Sequence, residues 1–341
     1  MEKEKQQADI IVVYGMVVSS NSIEPKAVVI KAGQILDTPE NADAYEADRI
    51  VDANGKFVLP GIIDAHFHPV YADRIDTLSK AAATGGITTL IPYVGAVAAW
   101  GQGGDLVDAV KSFIEEGESS SILDFGLHCT FTQNDIAESE RSIPALIEMG
   151  IVSFKGFTAY KKRGTLAKMS PPLRRPADVA ALWRAIQEGD IDVIGSDAAG
   201  HTVAANEPLD DDVFSAPHGI PGLDTMFTVT YSEGVNKGRI TLPHLVKMTS
   251  ENPARIFGLF PKKGTLAIGA DADVVIFDPA LAHRIPPKNA HTNVDYSLYE
   301  GRHCLGAPVM VMQRGRVVLE NGEIQADHGQ GHFLAGKFDT V

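Results

Sequence analysis

Cysteine is scarce in this chain: Cys129 and Cys304 are the two among 341 residues. That is too few for a disulfide framework and fits a reducing compartment. A basic surplus is also missing, because 30 Lys and Arg stand against 44 Asp and Glu, a formal charge of −14. No basic run is longer than Lys161-Lys162-Arg163. Nothing here would neutralise a phosphate backbone or dock on an anionic membrane, so no nucleic-acid or membrane partner is expected. The expected partner is a small molecule. No apolar run approaches the roughly 18 residues of a membrane span, and the charged stretch from Met1 to Asp9 lacks the apolar core of a signal peptide. The expected location is cytoplasmic. What is present, 44% hydrophobic and 22% charged residues, excludes disorder and collagen-like repeats and describes an ordinary acidic globular chain.

Short β-branched stretches run from Ile10 to Val18 and from Ala27 to Ile35, broken by Gly15 and Gly33. The same style returns at Ala272 to Asp278 and Val309 to Leu319, with the turn pair Asn321-Gly322 after them. Neither end can bury a core alone, so one small β domain built from both termini is expected, residues 1–60 and 263–341. Between them, residues 61–262 alternate short apolar strands with amphipathic helices, the pattern of parallel βα units. Strands are predicted at Ile62 to Phe67, Gly86 to Pro92, Ile122 to Cys129, Ile151 to Phe157 and Asp192 to Ser196. Helices are predicted near Asp73 to Ala83, Asp105 to Glu116, Ser142 to Met149 and Pro176 to Glu188, then at Leu223 to Tyr231, Leu242 to Ser250 and Pro253 to Gly258. Five strands are counted where a closed barrel needs eight.

Three features could carry chemistry. Asp64-Ala65-His66-Phe67-His68 ends the first of these strands, and residues two apart share a face, so Asp64, His66 and His68 point one way. Two converging imidazoles suit a metal, although polar residues at a loop entry give the same pattern. Lys155 sits among Ile151, Val152, Phe154 and Phe157. Apolar surroundings depress an amine pKa, and a neutral amine can take up carbon dioxide as a carbamate; the plainer alternative is an ammonium that snorkels to water. Asp197 ends Val193-Ile194-Gly195-Ser196, the position where parallel βα folds gather catalytic groups, and also one where a turn cap would stand. His128 beside Cys129 reads as a satisfied histidine at the mouth of the sheet rather than a ligand.

Together these residues resemble the dihydropyrimidinase and D-hydantoinase branch of the amidohydrolases. The likeness rests on Pro60-Gly61-Ile62-Ile63-Asp64-Ala65-His66-Phe67-His68, Gly85-Gly86-Ile87-Thr88-Thr89 and Ser153-Phe154-Lys155-Gly156-Phe157-Thr158-Ala159-Tyr160. It continues through Ser170-Pro171-Pro172-Leu173-Arg174, Gly195-Ser196-Asp197, Asn252-Pro253-Ala254-Arg255 and Asn293-Val294-Asp295-Tyr296-Ser297. The resemblance implies an α/β fold, a TIM-like (β/α) metal-dependent hydrolase barrel with a small β-sandwich domain. It implies hydrolysis of hydantoin or dihydropyrimidine rings at a C–N bond by a hydroxide on divalent metal, usually a pair of zinc ions. Carried over residue by residue, His66, His68 and Asp197 would hold one metal, and Lys155, carboxylated by carbon dioxide, would bridge both. Asp197 would shuttle the proton, Tyr160 would hydrogen-bond the oxyanion, and Ser170 and His218 would contact the substrate. The family also implies a homodimer or homotetramer.

Two departures stand out. The family carries two more metal-binding histidines between its lysine and its serine motif, and no histidine lies between Lys155 and Ser170. With roughly 30 residues per βα unit, a complete barrel would need about 100 or more residues between Lys155 and Asp197. Strands five to seven are therefore expected to be absent, with the break near Gly164 to Met169. His218 also stands where the family usually has asparagine, and Ala198 where histidine commonly follows the aspartate. Alternatives are a catalytically silent scaffold of the dihydropyrimidinase-like kind, and an allantoinase or dihydroorotase.

Overall fold

The structure, a computed structural model, describes residues 5–97, 104–131, 139–156, 175–206 and 219–337. The first β-branched stretches form β1 (Gln6–Val13), β2 (Met16–Val18), β3 (Ile23–Pro25), β4 (Val28–Lys31), β5 (Gln34–Asp37), β6 (Tyr45–Asp52) and β7 (Phe57–Pro60). β5, β4, β1 and β6 make one sheet in that order. The others join the C-terminal strands β13 (Val274–Arg284), β14 (His303–Gln313), β15 (Arg316–Glu320) and β16 (Glu323–Ile324) in a seven-stranded sheet, β16-β15-β14-β13-β7-β2-β3. The seam is antiparallel, with Val274 opposite Pro60 and Phe277 opposite Phe57. Ile10, Val28, Ile30 and Val58 then share one apolar cluster with Val274, Ile276 and Met312. Strands from both ends of the chain thus line one apolar cluster.

The middle of the chain runs β8 (Ile62–Phe67), α1 (Ile75–Thr84), β9 (Ile87–Val94), α2 (Leu106–Ser120), β10 (Asp124–Phe125), β11 (His128–Phe131), α3 (Ser139–Glu148), β12 (Phe154–Gly156) and α4 (Pro176–Glu188). All the pairings among β8 to β12 are parallel, and they make a curled half-barrel. Every residue of β9 is buried, as expected of a parallel strand covered on both faces. Helix limits follow local chemistry. The Asp105 side chain caps α2 by accepting from the Val107 and Asp108 amides. α4 opens on Pro176 and stops at Gly189, whose φ of 84° suits glycine. Shorter helices follow: α5 (Val203–Asn206), α6 (Met226–Thr230), α7 (Leu242–Val246) and α8 (Asn252–Ile256). No helix among the described residues is long and apolar enough to cross a membrane.

Three expectations need correction. No strand forms at Asp192 to Ser196; just beyond it, Ala198 bridges Phe67 on one side and Ile220 on the other. Its donors go elsewhere, the Ser196 amide to the Asp64 carboxylate and the Ile194 amide to the Met248 carbonyl. The predicted strand Ile122 to Cys129 is split into β10 and β11 around Gly126. Apolar periodicity suggested uninterrupted helices at Leu223 to Tyr231 and Leu242 to Ser250. Instead, α6 and α7 are short and widen into π-turns at Tyr231–Val235 and Lys247–Glu251.

Lys263 ties the parts together. It is 1% exposed, with Nζ 2.7 Å from Asp124, 2.8 Å from Asp273 and 3.0 Å from Asp271. Burial alone would push its pKa down, but the three carboxylates outweigh burial and hold it above the ordinary lysine range. Asp124 belongs to β10 of the half-barrel, while Asp271 and Asp273 lead into β13 of the seven-stranded sheet. The chain after β16 also converges here, with the His332 amide donating to Asp124. Phe125 and Phe333 are bridged in parallel, so this last segment extends the half-barrel sheet.

Replacing Lys263 with Met removes the buried cation shared by three aspartates, leaving Asp124 with Arg314 at 3.3 Å and Asp273 with no cation among the described residues, and should cost about 3–5 kcal/mol. Urea unfolding of the two proteins measures it. A loss below about 1 kcal/mol would mean that the cluster is not the seam's anchor.

Candidate metal centre

β8 ends where the 195–198 segment crosses it, and the two are fastened by one buried side chain. Asp64 is fully buried; its Oδ1 accepts from the His66 amide at 3.0 Å and the Ser196 amide at 3.1 Å, and its Oδ2 accepts from the Ser196 hydroxyl. Burial pushes its pKa up to about 6 against the pull of these donors. The backbones complete the clasp, with Asp197 N donating to His66 O at 2.7 Å and His68 N to Ala198 O at 2.8 Å. This close approach requires Gly195, because a Cβ there would lie 2.8 Å from the His66 Cβ. Asp197 itself is held at a φ of 49°, a left-handed conformation that non-glycine residues adopt at a cost of order 1–3 kcal/mol.

The clasp aims three side chains at one point. His66 Nε2 and His68 Nε2 lie 3.2 and 3.5 Å from Asp197 Oδ1, and one ligand atom from each residue falls within 4.8 Å of the others. Burial would raise the Asp197 pKa, but hydrogen bonds from both imidazoles, and their charge, hold it far below the usual carboxylate range. Burial lowers the His68 pKa and favours the neutral imidazole that a metal needs. Two imidazole nitrogens and one carboxylate oxygen form a donor set suited to zinc.

Lys155, on β12, reaches the same place. Its Nζ lies 4.0 Å from the centre of the Tyr93 ring, and burial lowers its pKa despite the opposing Asp197 charge. His128 is spoken for: Nε2 donates to the Ala65 carbonyl at 3.0 Å, which leaves Nδ1 to accept from the Ser153 hydroxyl at 2.6 Å. Both nitrogens are spent on protein partners, which disqualifies it as a ligand in this arrangement. His201 stacks on Tyr71 and lies outside the cluster. The positions carried over for substrate and oxyanion contacts, Tyr160, Ser170 and His218, lie outside the described residues. Sequence reasoning passed over Tyr93 and the role of Ser196. Tyr93 carried one readable signal, a tyrosine near the C-terminal end of an otherwise apolar strand.

Residues 96–318 match the model of the Amidohydrolase family. The chain is 27% identical to the L-hydantoinase of Paenarthrobacter aurescens, over 447 aligned positions that cover 96% of this chain and 98% of that protein. The alignment is longer than the chain, so a long stretch of that relative has no counterpart here. Over 170 residues, 50% of this chain and 37% of the relative, identity to the D-phenylhydantoinase of Escherichia coli O1:K1 reaches 41%. Among solved structures, the L-hydantoinase (dihydropyrimidinase) of Arthrobacter aurescens superposes with a TM-score of 0.87 at 25% identity, covering 96% of this chain and 100% of that one. The dihydropyrimidinase of Brevibacillus agri NCHU1002 gives the same TM-score at 23% identity, covering 97% and 99%, and speaks to the fold alone.

Two outcomes follow from this geometry. Asp64→Ala should leave a folded protein whose zinc affinity, measured by chelator competition, is about 10–100-fold weaker; a change below about threefold would deny the clasp its role. Burial pushes His128 from an ordinary 6.5 down to about 4, so the unfolded chain takes up the proton first. The stability this imidazole contributes is complete above pH 6.5 and is lost as pH falls toward 4, about 2 kcal/mol of it by pH 5. Denaturation midpoints of the parent should drop accordingly between pH 7 and 5, and His128→Asn should flatten that slope. Equal slopes in both proteins would contradict the assignment.

Proposed function

The chain belongs to the amidohydrolase family, and on that premise we propose that it is a metal-dependent hydrolase that opens hydantoin or dihydropyrimidine rings at a C–N bond. The observation that carries this reading is the convergence of His66, His68 and Asp197 where β8 meets the 195–198 segment, with Lys155 of β12 beside them. Support from outside the site comes from relatives that carry the names L-hydantoinase and D-hydantoinase.

In this reading His66, His68 and Asp197 would hold one divalent cation, zinc by donor type, and Lys155 would join them as the carbamate its amine forms with carbon dioxide. The bound cation supplies Lewis acidity toward the ring carbonyl and makes water a stronger acid. Asp197 takes a proton from the attacking water and returns it to the ring nitrogen as the C–N bond breaks, leaving a carboxylic acid at the new end that gives its proton to solvent. Tyr160 donates to the developing oxyanion, and Ser170 and His218 orient the ring. Because no histidine lies between Lys155 and Ser170, a second cation would have the carbamate alone, so each subunit holds about one. The same ligand count fits a barrel without strands five to seven, set on a β-sandwich of residues 1–60 and 263–341. The protein is cytoplasmic and works as a homodimer or homotetramer.

Zinc-reconstituted protein should carry about one metal per chain and open hydantoin or dihydrouracil in preference to allantoin and dihydroorotate, more slowly than a complete relative. Lys155→Ala should lose both metal and activity, with partial rescue by short-chain carboxylic acids. Zinc-loaded parent protein inert toward all four rings would favour the scaffold reading. Full metal retention in the Lys155→Ala protein would remove the carbamate from the account.

A further inference from the structure

Tyr93 occupies the next-to-last position of β9 and is 7% exposed. Its ring centroid lies 4.4 Å from that of His66, 5.0 Å from His68 and 4.3 Å from His128, and the Lys155 ammonium lies 4.0 Å from the ring centre. One ring from β9 therefore meets side chains at β8, β11 and β12. We propose that Tyr93 is the positioning residue of this site, the platform that seats both ligand imidazoles and Lys155. This inference rests on the metal-hydrolase reading and goes beyond it, since no step of that reaction requires an aromatic ring at this position.

The argument runs from what is fixed to what must be fixed. His128 is pinned through both ring nitrogens, to Ala65 of β8 and to Ser153 just before β12. The Tyr93 ring lies within 4° of parallel to it. The His68 ring lies within 19° of parallel to Tyr93, and the His66 ring meets it at 58°. The last torsion of an imidazole is broad, and a turned ligand loses its line to the metal. Ring contact transmits the fixed orientation of His128 to the two ligands, stacked against His68 and tilted against His66. The ring face offers Lys155 a favourable seat before any carbamate forms. All these contacts are made by the ring rather than the hydroxyl, so phenylalanine should serve as well and an aliphatic side chain of similar volume should not.

The experiment measures zinc affinity by chelator competition and records the visible absorption of the cobalt-loaded full chain, for the parent, Tyr93→Phe and Tyr93→Met. Tyr93→Phe should bind within about twofold of the parent with the same cobalt spectrum. Tyr93→Met should bind about tenfold or more weakly, with an altered spectrum. Should Tyr93→Met fail to fold, His128→Asn removes the fixed end of the stack and should weaken zinc in the same direction. A folded Tyr93→Met protein that matches the parent in affinity and spectrum overturns the inference and leaves the metal reading standing. A Tyr93→Phe protein as weak as Tyr93→Met also overturns it, in favour of the hydroxyl. A parent that binds neither zinc nor cobalt overturns the metal reading, and this inference falls with it.

Discussion

A single buried carboxylate sets the geometry on which the site depends. Asp64 accepts two amides and a hydroxyl, and through them fastens β8 to the 195–198 segment. Leaving that carboxylate unpaired in the interior would be costly, so the three donors effectively dictate where the segment runs. Asp197 arrives opposite His66 and His68 because its neighbour Ser196 is held, and its backbone there is left-handed, with a φ of 49°. Residues far apart in sequence thereby meet at one point.

The rest of the molecule keeps that clasp in place. Lys263 and its three aspartates join the half-barrel to the seven-stranded sheet, and the segment around His332 closes over the same cluster. The largest apolar cluster runs without a break from Phe67, Ile87 and Phe125 of the half-barrel to Val275, Phe277 and Val311 of that sheet. The terminal strands are thus packed against the half-barrel and help to hold the strand ends that carry the site. Among the described residues the parallel pairing ends at β12, and the other flank is completed by Ala198 and Ile220 rather than by a further strand.

Much of this was legible in the sequence. Alternating apolar strands and helices announced the parallel units, and α4 has the limits that Pro176 and Gly189 predict. The spacing Asp64-x-His66-x-His68 placed both imidazoles on one face and an expected strand end singled out Lys155, whereas Asp197 was singled out by a strand that does not form. The misses share a physical cause: local pattern cannot report a distant partner. Val193-Ile194 reads as strand, but the donors beside it are claimed by Asp64 and Met248. Nothing local marks Lys263, and only the fold surrounds it with carboxylates. Tyr93 reads as core, and only the curl of the sheet brings three imidazoles to its ring. The π-turns after α6 and α7 insert a residue into a helical period that sequence alone would leave intact.

The central claim is that one cation sits where β8 meets the 195–198 segment. Anomalous diffraction at the zinc edge from crystals of the zinc-reconstituted protein tests it most directly. The account predicts one strong peak per chain, within bonding distance of His66 Nε2, His68 Nε2 and an Asp197 carboxylate oxygen. A peak on His128 or His201 instead, or none between β8 and Asp197 in protein known to carry zinc, would contradict it.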